Sequence, residues 1–212
     1  MYIHWLVYMM AMANSANPTR ERIISAASKL FYSEGIRAVS VDAVAEKAGL
    51  TKRTLYYHFR SKDDLVAAYL AARDQPNLAL FKRWFDEAEG GLPAKVQAIF
   101  LRLARNASHP KWKGCGFLRT SAELANLPGH PAIRTGAAHK KKFEAWLCAV
   151  FEEAGIGSAS RLARQILLLL DGSFAVVQLH RDPSYMETAG EAAFSLVETA
   201  LKARSKKDRR GR

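Results

Sequence analysis

The chain has 212 residues, 32 Lys and Arg against 20 Asp and Glu, a formal net charge of +12 and a 49% share of hydrophobic residues. That length and apolar content suit one large or two small globular domains and exclude wholesale disorder. Two cysteines, Cys115 and Cys148, are too few for a disulfide framework and fit a reducing cytoplasm, and no stretch reaches the about 18–20 apolar residues of a membrane span.

In chain order, residues 1–17, MYIHWLVYMMAMANSAN, come first. They lack the basic start and small-residue cleavage site of a secretion signal, and with Met9, Met10 and Met12 as later start codons they read as an over-extended gene start or a disordered arm. A helix is predicted over 19–33, where Ile23, Ala26, Ala27, Leu30 and Phe31 keep helical spacing. Thr19 is its expected N-cap and Gly35 its expected left-handed C-cap. Ser40 caps a second helix, with Val41, Val44 and Ala45 inward, which Gly49 ends. Thr51 caps a third, and Ser61 with Asp64 opens a fourth in capping-box fashion.

The third helix carries TKRTLYYHF, residues 51–59, in which cationic, hydroxyl and aromatic side chains stand side by side. Three surfaces account for such a mixture: a partner for a nucleic-acid backbone, a site for an anionic small ligand, or a solvated face. At 100° per residue Leu55 and Phe59 share the inward face and Arg53 and Tyr57 lie opposite, with Lys52 and Tyr56 on one flank and Thr54 and His58 on the other. Two short helices joined through Ala-Gly-Leu behind a longer one make a helix-turn-helix. Lys and Arg neutralise phosphates and reach guanine edges, Tyr hydroxyls bond phosphate oxygens, and a helix N-terminus offers free N–H groups, so the pattern is that of a recognition helix.

The stretch TRERIISAASKLFYSEGIRAVSVDAVAEKAGLTKRTLYYHFRSKDDLVAAYL, residues 19–70, resembles the N-terminal domain of the tetracycline-repressor (TetR) family of transcriptional regulators. The resemblance implies an all-α protein with an N-terminal three-helix DNA-binding domain (18–64) and a C-terminal helical ligand-binding and dimerisation domain (65–203); the charge run at the end reads as a basic disordered tail (204–212). It implies a homodimer that binds a palindromic operator and is released by a small-molecule inducer. By it, Ser40 and Thr51 cap and touch phosphates, Lys52, Arg53 and Thr54 face bases, and Tyr56, Tyr57, His58 and Lys62 grip the backbone.

Further helices are predicted over 62–89 with a bend near Gln75-Pro76, then 92–108, 117–126, 131–154, 159–181 and 184–203, with breaks at Pro110, Pro128, Gly155 to Gly157 and Pro183. The apolar run Ile166 to Leu170, bounded by Arg164 and Asp171, reads as buried helix. Apolar surface over more than one face of the last two helices (Leu162, Ile166, Leu169, Leu170, Phe174 and Val177; Ala192, Ala193, Leu196, Val197 and Ala200) makes them candidates for a dimer interface or a monomer core. Phe81, Phe85, Phe100, Trp112, Phe117, Phe143, Trp146 and Phe174, with Gln178 or His180 as a polar contact, are candidates to line an apolar ligand pocket or plain core. GCGFLRTSAEL, 114–124, and the following NLPGHPAI resemble a segment of one subgroup of these regulators. Cys115 near that helix start gives an alternative reading, a redox-responsive regulator, since a helix N-terminus favours thiolate.

Charge does not decide the matter alone. Residues 1–75 hold ten Lys and Arg against seven Asp and Glu, a net of +3, whereas Lys202 to Arg212 hold seven cations and one acid, a net of +6. Enzyme signatures are absent: there is no G-x-S-x-G elbow, phosphate loop or H-E-x-x-H. The six histidines lack metal-ligand spacing, and His109, His130 and His139 are expected at the surface. No catalytic residue, metal or cofactor is expected, only an unidentified effector; a non-DNA interaction module, or an enzyme on a similar helical scaffold, is the competing class.

Overall fold

The computed structural model describes the backbone of residues 17–210 and the side chains of residues 17–204; the N-terminal arm read from the sequence lies outside them but for residue 17. The described residues are all-helical and contain no strand. Their nine helices are α1 (Pro18–Glu34), α2 (Val41–Lys47), α3 (Lys52–His58), α4 (Lys62–Asp86), α5 (Leu92–Ala107), α6 (Gly116–Glu123), α7 (Pro131–Glu153), α8 (Ala159–His180) and α9 (Ser184–Arg210). They divide into two compact units. The first comprises the described residues up to Asn77 with Cys115–Ala138, and the second Leu78–Gly114 with the chain from His139 on. The sequence reading ended the first domain at residue 64; the first unit takes in α4 as far as Asn77, all of α6 and the start of α7, a contribution that no local pattern marks.

α1 starts one residue earlier than predicted, and its cap lies two residues earlier. Asn17, not Thr19, is the N-cap: its Oδ1 accepts the Arg20 N–H at 3.0 Å, and Pro18 follows as first helical residue. Proline there loses no helical bond and has its φ already set, so the Asn-Pro pair outcompetes Thr19. The core of the first unit joins Ile23, Ala27 and Phe31 of α1 to Leu55 of α3, Tyr69 of α4 and Phe117 of α6.

In the second unit α9 packs against α5 and α8, burying Val96, Ile99 and Phe100 of α5, Leu162, Ile166 and Val177 of α8, and Ala193 and Val197 of α9. α4 stays helical through Pro76 and stops at Asp86, short of the predicted 89. α9 continues to Arg210, past the predicted end at 203, so the segment read as a disordered tail is helical up to that point. α8 is long and apolar enough, by length and composition, to cross a membrane, with a mean hydropathy of 1.4 over its most apolar window and 39% of that window buried. The sequence reading saw no such stretch. Within the helix Ile166 and Leu170 are buried while Leu168 is 66% exposed, so one face belongs to the core and another is open.

Candidate nucleic-acid interface

The two short helices are locally encoded. Ser40 Oγ accepts the Ala43 N–H at 3.0 Å and Thr51 Oγ1 accepts the Thr54 N–H at 3.1 Å, so each helix has its first-turn cap. Between them the Gly49 N–H donates to Glu46 O and the Leu50 N–H to Ala45 O, both at 2.9 Å. This crossed pair is a Schellman turn, and Gly49 holds the left-handed position it needs, with φ +64°. Arg22 of α1 adds a clasp, its Nη2 donating to the Ala48 carbonyl at 2.8 Å.

α3 is anchored by Leu55 and Phe59, both buried as its periodicity predicted, which contributes about 1.5–3 kcal/mol each. The Arg20 guanidinium lies over the Phe59 ring at 5.1 Å. The opposite face is open: Tyr57 is 86% and Tyr56 44% exposed, and Lys52 and Arg53 are exposed. Thr54 and His58 are half-buried on the flank, with the His58 ring edge-on to Tyr57 at 5.2 Å. The geometry thus separates anchors from displayed groups as the 100° rule requires.

Not all displayed cations are alike. Lys52 Nζ donates to Asp42 Oδ2 at 2.9 Å, and that hydrogen bond, then the charge of Asp42, holds its pKa above the usual lysine value. Arg53 makes no such pairing among the described residues. Ser40 is exposed, its hydroxyl proton left to donate while its oxygen caps α2. Lys62, in the first turn of α4, is half-buried; desolvation pulls its ammonium below the ordinary lysine range, against the opposing charges of Glu123 and Asp63.

Several groups at this face carry no local signal in the sequence. Glu123 Oε2, at the end of α6, accepts the backbone N–H groups of Ile36 at 2.7 Å and Arg37 at 3.0 Å. His130 is buried, not at the surface as expected: its Nδ1 accepts the Ala132 N–H at 3.0 Å, capping α7, and its Nε2 lies 3.2 Å from Asp63 Oδ1. His139 is buried as well, and His109 is exposed. Apolar surroundings suit a histidine whose ring nitrogens are paired, which spacing alone does not disclose.

The aromatic residues singled out for a pocket fall into groups. In the second unit Phe81, Phe143, Trp146 and Phe85 form a chain of ring contacts at 5.3 Å (Phe81 to Phe143), 5.7 Å (Phe143 to Trp146) and 5.4 Å (Phe85 to Trp146). Trp112 stacks on Phe174 at 6.3 Å, with Lys140, ion-paired to Asp171, over the Phe174 ring at 5.8 Å. Phe100 is buried on α5, whereas Gln178 and His180 are exposed on α8. Phe117 stands apart in the core of the first unit, because the glycine-bounded helix that carries it packs there. Cys115 is the N-cap residue of α6, half-buried, with no capping bond from its side chain.

Comparison with known proteins gives this geometry a context. A model of bacterial regulatory proteins of the tetR family matches residues 23–69. The HTH-type transcriptional regulator SrpR of Pseudomonas putida is 41% identical over 64 residues, 30% of this chain and 30% of that protein. UidR of Escherichia coli (strain K12), also an HTH-type transcriptional regulator, is 35% identical over 71 residues, 34% of this chain and 36% of its own length. The chain thus spans about a third of the length of the curated relatives it matches. Over nearly its whole length it is similar to the crystal structure of SCO4454, a TetR-family transcriptional regulator from Streptomyces coelicolor, with 30% identity, a TM-score of 0.76 and coverage of 94% of this chain and 96% of that one.

Proposed function

The chain belongs to the TetR family of bacterial transcriptional regulators, and from that premise we propose that it is a cytoplasmic repressor that binds a two-fold symmetric operator as a homodimer and is released by a small apolar or amphipathic inducer. One observation carries the DNA-binding reading: α3 is rigidly capped and anchored while Arg53, Tyr56 and Tyr57 stand exposed on a single face. Such a helix suits the major groove, where Arg53 would read guanine and the tyrosines and Lys62 would grip phosphate.

The homodimer reading rests on exposed apolar stripes in the second unit. The sequence reading nominated, for a dimer interface or a monomer core, Leu162, Ile166, Leu169, Leu170, Phe174 and Val177 of α8; all but the half-buried Leu169 are buried within the protomer. The open stripe is a different one: Leu168, Gly172, Ala175 and Leu179, at steps of four, three and four. α9 repeats the rhythm with Tyr185, Ala189, Ala192 and Leu196. Apolar positions at coiled-coil spacing, all exposed on α8 and exposed (Tyr185, Ala192) or half-buried (Ala189, Leu196) on α9, suit a four-helix contact with a second copy. The inducer reading rests on the aromatic groups of the second unit, which suit an apolar ligand.

The test is selection of duplexes from a random pool, together with a gel shift on DNA flanking the gene, at two salt concentrations. The expected result is binding to a symmetric sequence about 10³-fold or more tighter than to random duplex, weakening steeply with salt. A well-folded dimer that shows no sequence preference would overturn the regulator reading.

A further inference from the structure

α6 turns one face towards the end of α1. Arg119 and Glu123 lie one turn apart on that face. Arg119 Nη1 donates to the Tyr32 carbonyl at 2.8 Å, in the last turn of α1. Glu123 then accepts the two N–H groups that follow, those of Ile36 and Arg37. These amides belong to the corner between α1 and α2, where no helical ladder serves them, and Ile36 is itself buried. The corner is shaped for the carboxylate: Gly35 has φ +92°, and a Cβ there would sit 3.2 Å from Glu123 Oε1. A left-handed, side-chain-free residue at this point lets the acid approach the backbone.

We propose that Glu123 is a positioning residue for DNA recognition, holding the corner from which α2 and α3 hang, so that α6 is a working part of the DNA-reading head. Charged acceptors make the stronger backbone hydrogen bonds, and Val39 and the capping Ser40 follow the held amides within a few residues. The same carboxylate favours the charged form of Lys62, against the desolvation that lowers its pKa. At the far end of the same segment His130 ties the start of α7 to Asp63, the neighbour of Lys62. None of these partners lies within residues 23–69 apart from those they hold. The proposal rests on the DNA-binding reading above.

The experiment pairs amide hydrogen exchange with binding, using the duplex selected by the wild-type protein and a random duplex of equal length. In the wild type the amides of Ile36 and Arg37 are expected to be protected. Glu123→Ala should speed their exchange and weaken binding to the selected duplex about tenfold or more, with random-duplex binding unchanged or tighter. Glu123→Gln keeps an oxygen at the same reach and should restore both protection and selectivity, a rescue that loss of general stability would not show. Glu123→Asp, one methylene shorter, is the milder variant if the alanine form does not fold, and should move both readouts in the same direction. Fast exchange at Ile36 and Arg37 in the wild type, unaltered selectivity in Glu123→Ala, or a Gln variant no better than Ala would each overturn the proposal. Failure of the wild type to select any duplex sinks the underlying reading instead, and is seen before any variant is made.

Discussion

Neighbouring cations on one helix turn hold different states, and this separates their roles. Lys52 is tethered to Asp42, whereas Arg53 is exposed with no partner among the described residues. A guanidinium presents a planar fork that matches guanine O6 and N7, while a lysine already bridged must first release its carboxylate. Arg53→Ala is therefore expected to cost about 1–3 kcal/mol on the preferred duplex and far less on random DNA. Tyr57→Ala and Lys62→Ala should weaken both duplexes alike, and Lys62→Ala should lower the salt slope by about one unit. Titrations of selected and random duplex at several salt concentrations measure both effects. Equal loss on the two duplexes for Arg53→Ala would remove it from base reading.

At the scale of elements, what the sequence disclosed is what is held locally. Caps at Ser40 and Thr51, the turn at Gly49 and the inward pair Leu55 and Phe59 each depend on neighbours within a few positions, so α2 and α3 were legible in detail, and the displayed face of α3 with them. The contact of Glu123 with Ile36 and Arg37 spans 87 and 86 positions, and no period or motif encodes it; for the same reason α6, and with it Phe117, was assigned to the other domain. Burial of His130 likewise depends on partners supplied by the fold. In the second unit a similar long-range tie is testable by pH. The buried Glu144 of α7 is bonded by Lys141 at 2.9 Å and by Arg164 of α8 at 3.1 Å, and these bonds, that of Lys141 foremost, hold its carboxyl below the usual range. A depressed folded pKa adds stability that is full above the unfolded value and lost as pH falls through the folded one. Both cations are exposed, which limits the effect to about 1 kcal/mol, or about 2–4 °C in Tm for a chain of this size. Glu144→Gln should show that deficit at neutral pH, and thermal melts should show it closing below about pH 4. A deficit independent of pH would mean the carboxylate's charge is not what matters.

For the whole molecule, the question is how one recognition helix per chain becomes an operator-specific assembly. A seven-residue helix reads only a few base pairs, and a symmetric site is engaged firmly when two such helices are linked one duplex turn apart. Linking turns the second half-site into an intramolecular encounter and multiplies affinity by about 10²–10⁴ without new contacts. In the proposed homodimer the apolar stripes of α8 and α9 would supply that link, since Leu168 and Leu179 are 66% and 79% exposed and do nothing for the protomer's own core. Replacing both with Glu should leave the fold of the protomer intact, because no buried contact is removed, and should place four like charges across a two-fold contact. The expected result is a monomer by sedimentation with an unchanged far-UV spectrum. Its affinity for the symmetric duplex should fall about a hundredfold or more, while its affinity for a single half-site stays near that of the parent. The two measurements check each other: a Leu168→Glu, Leu179→Glu protein that remains a dimer and keeps its operator affinity would show that these leucines face something other than a second copy, and α8 would have to be withdrawn from the interface.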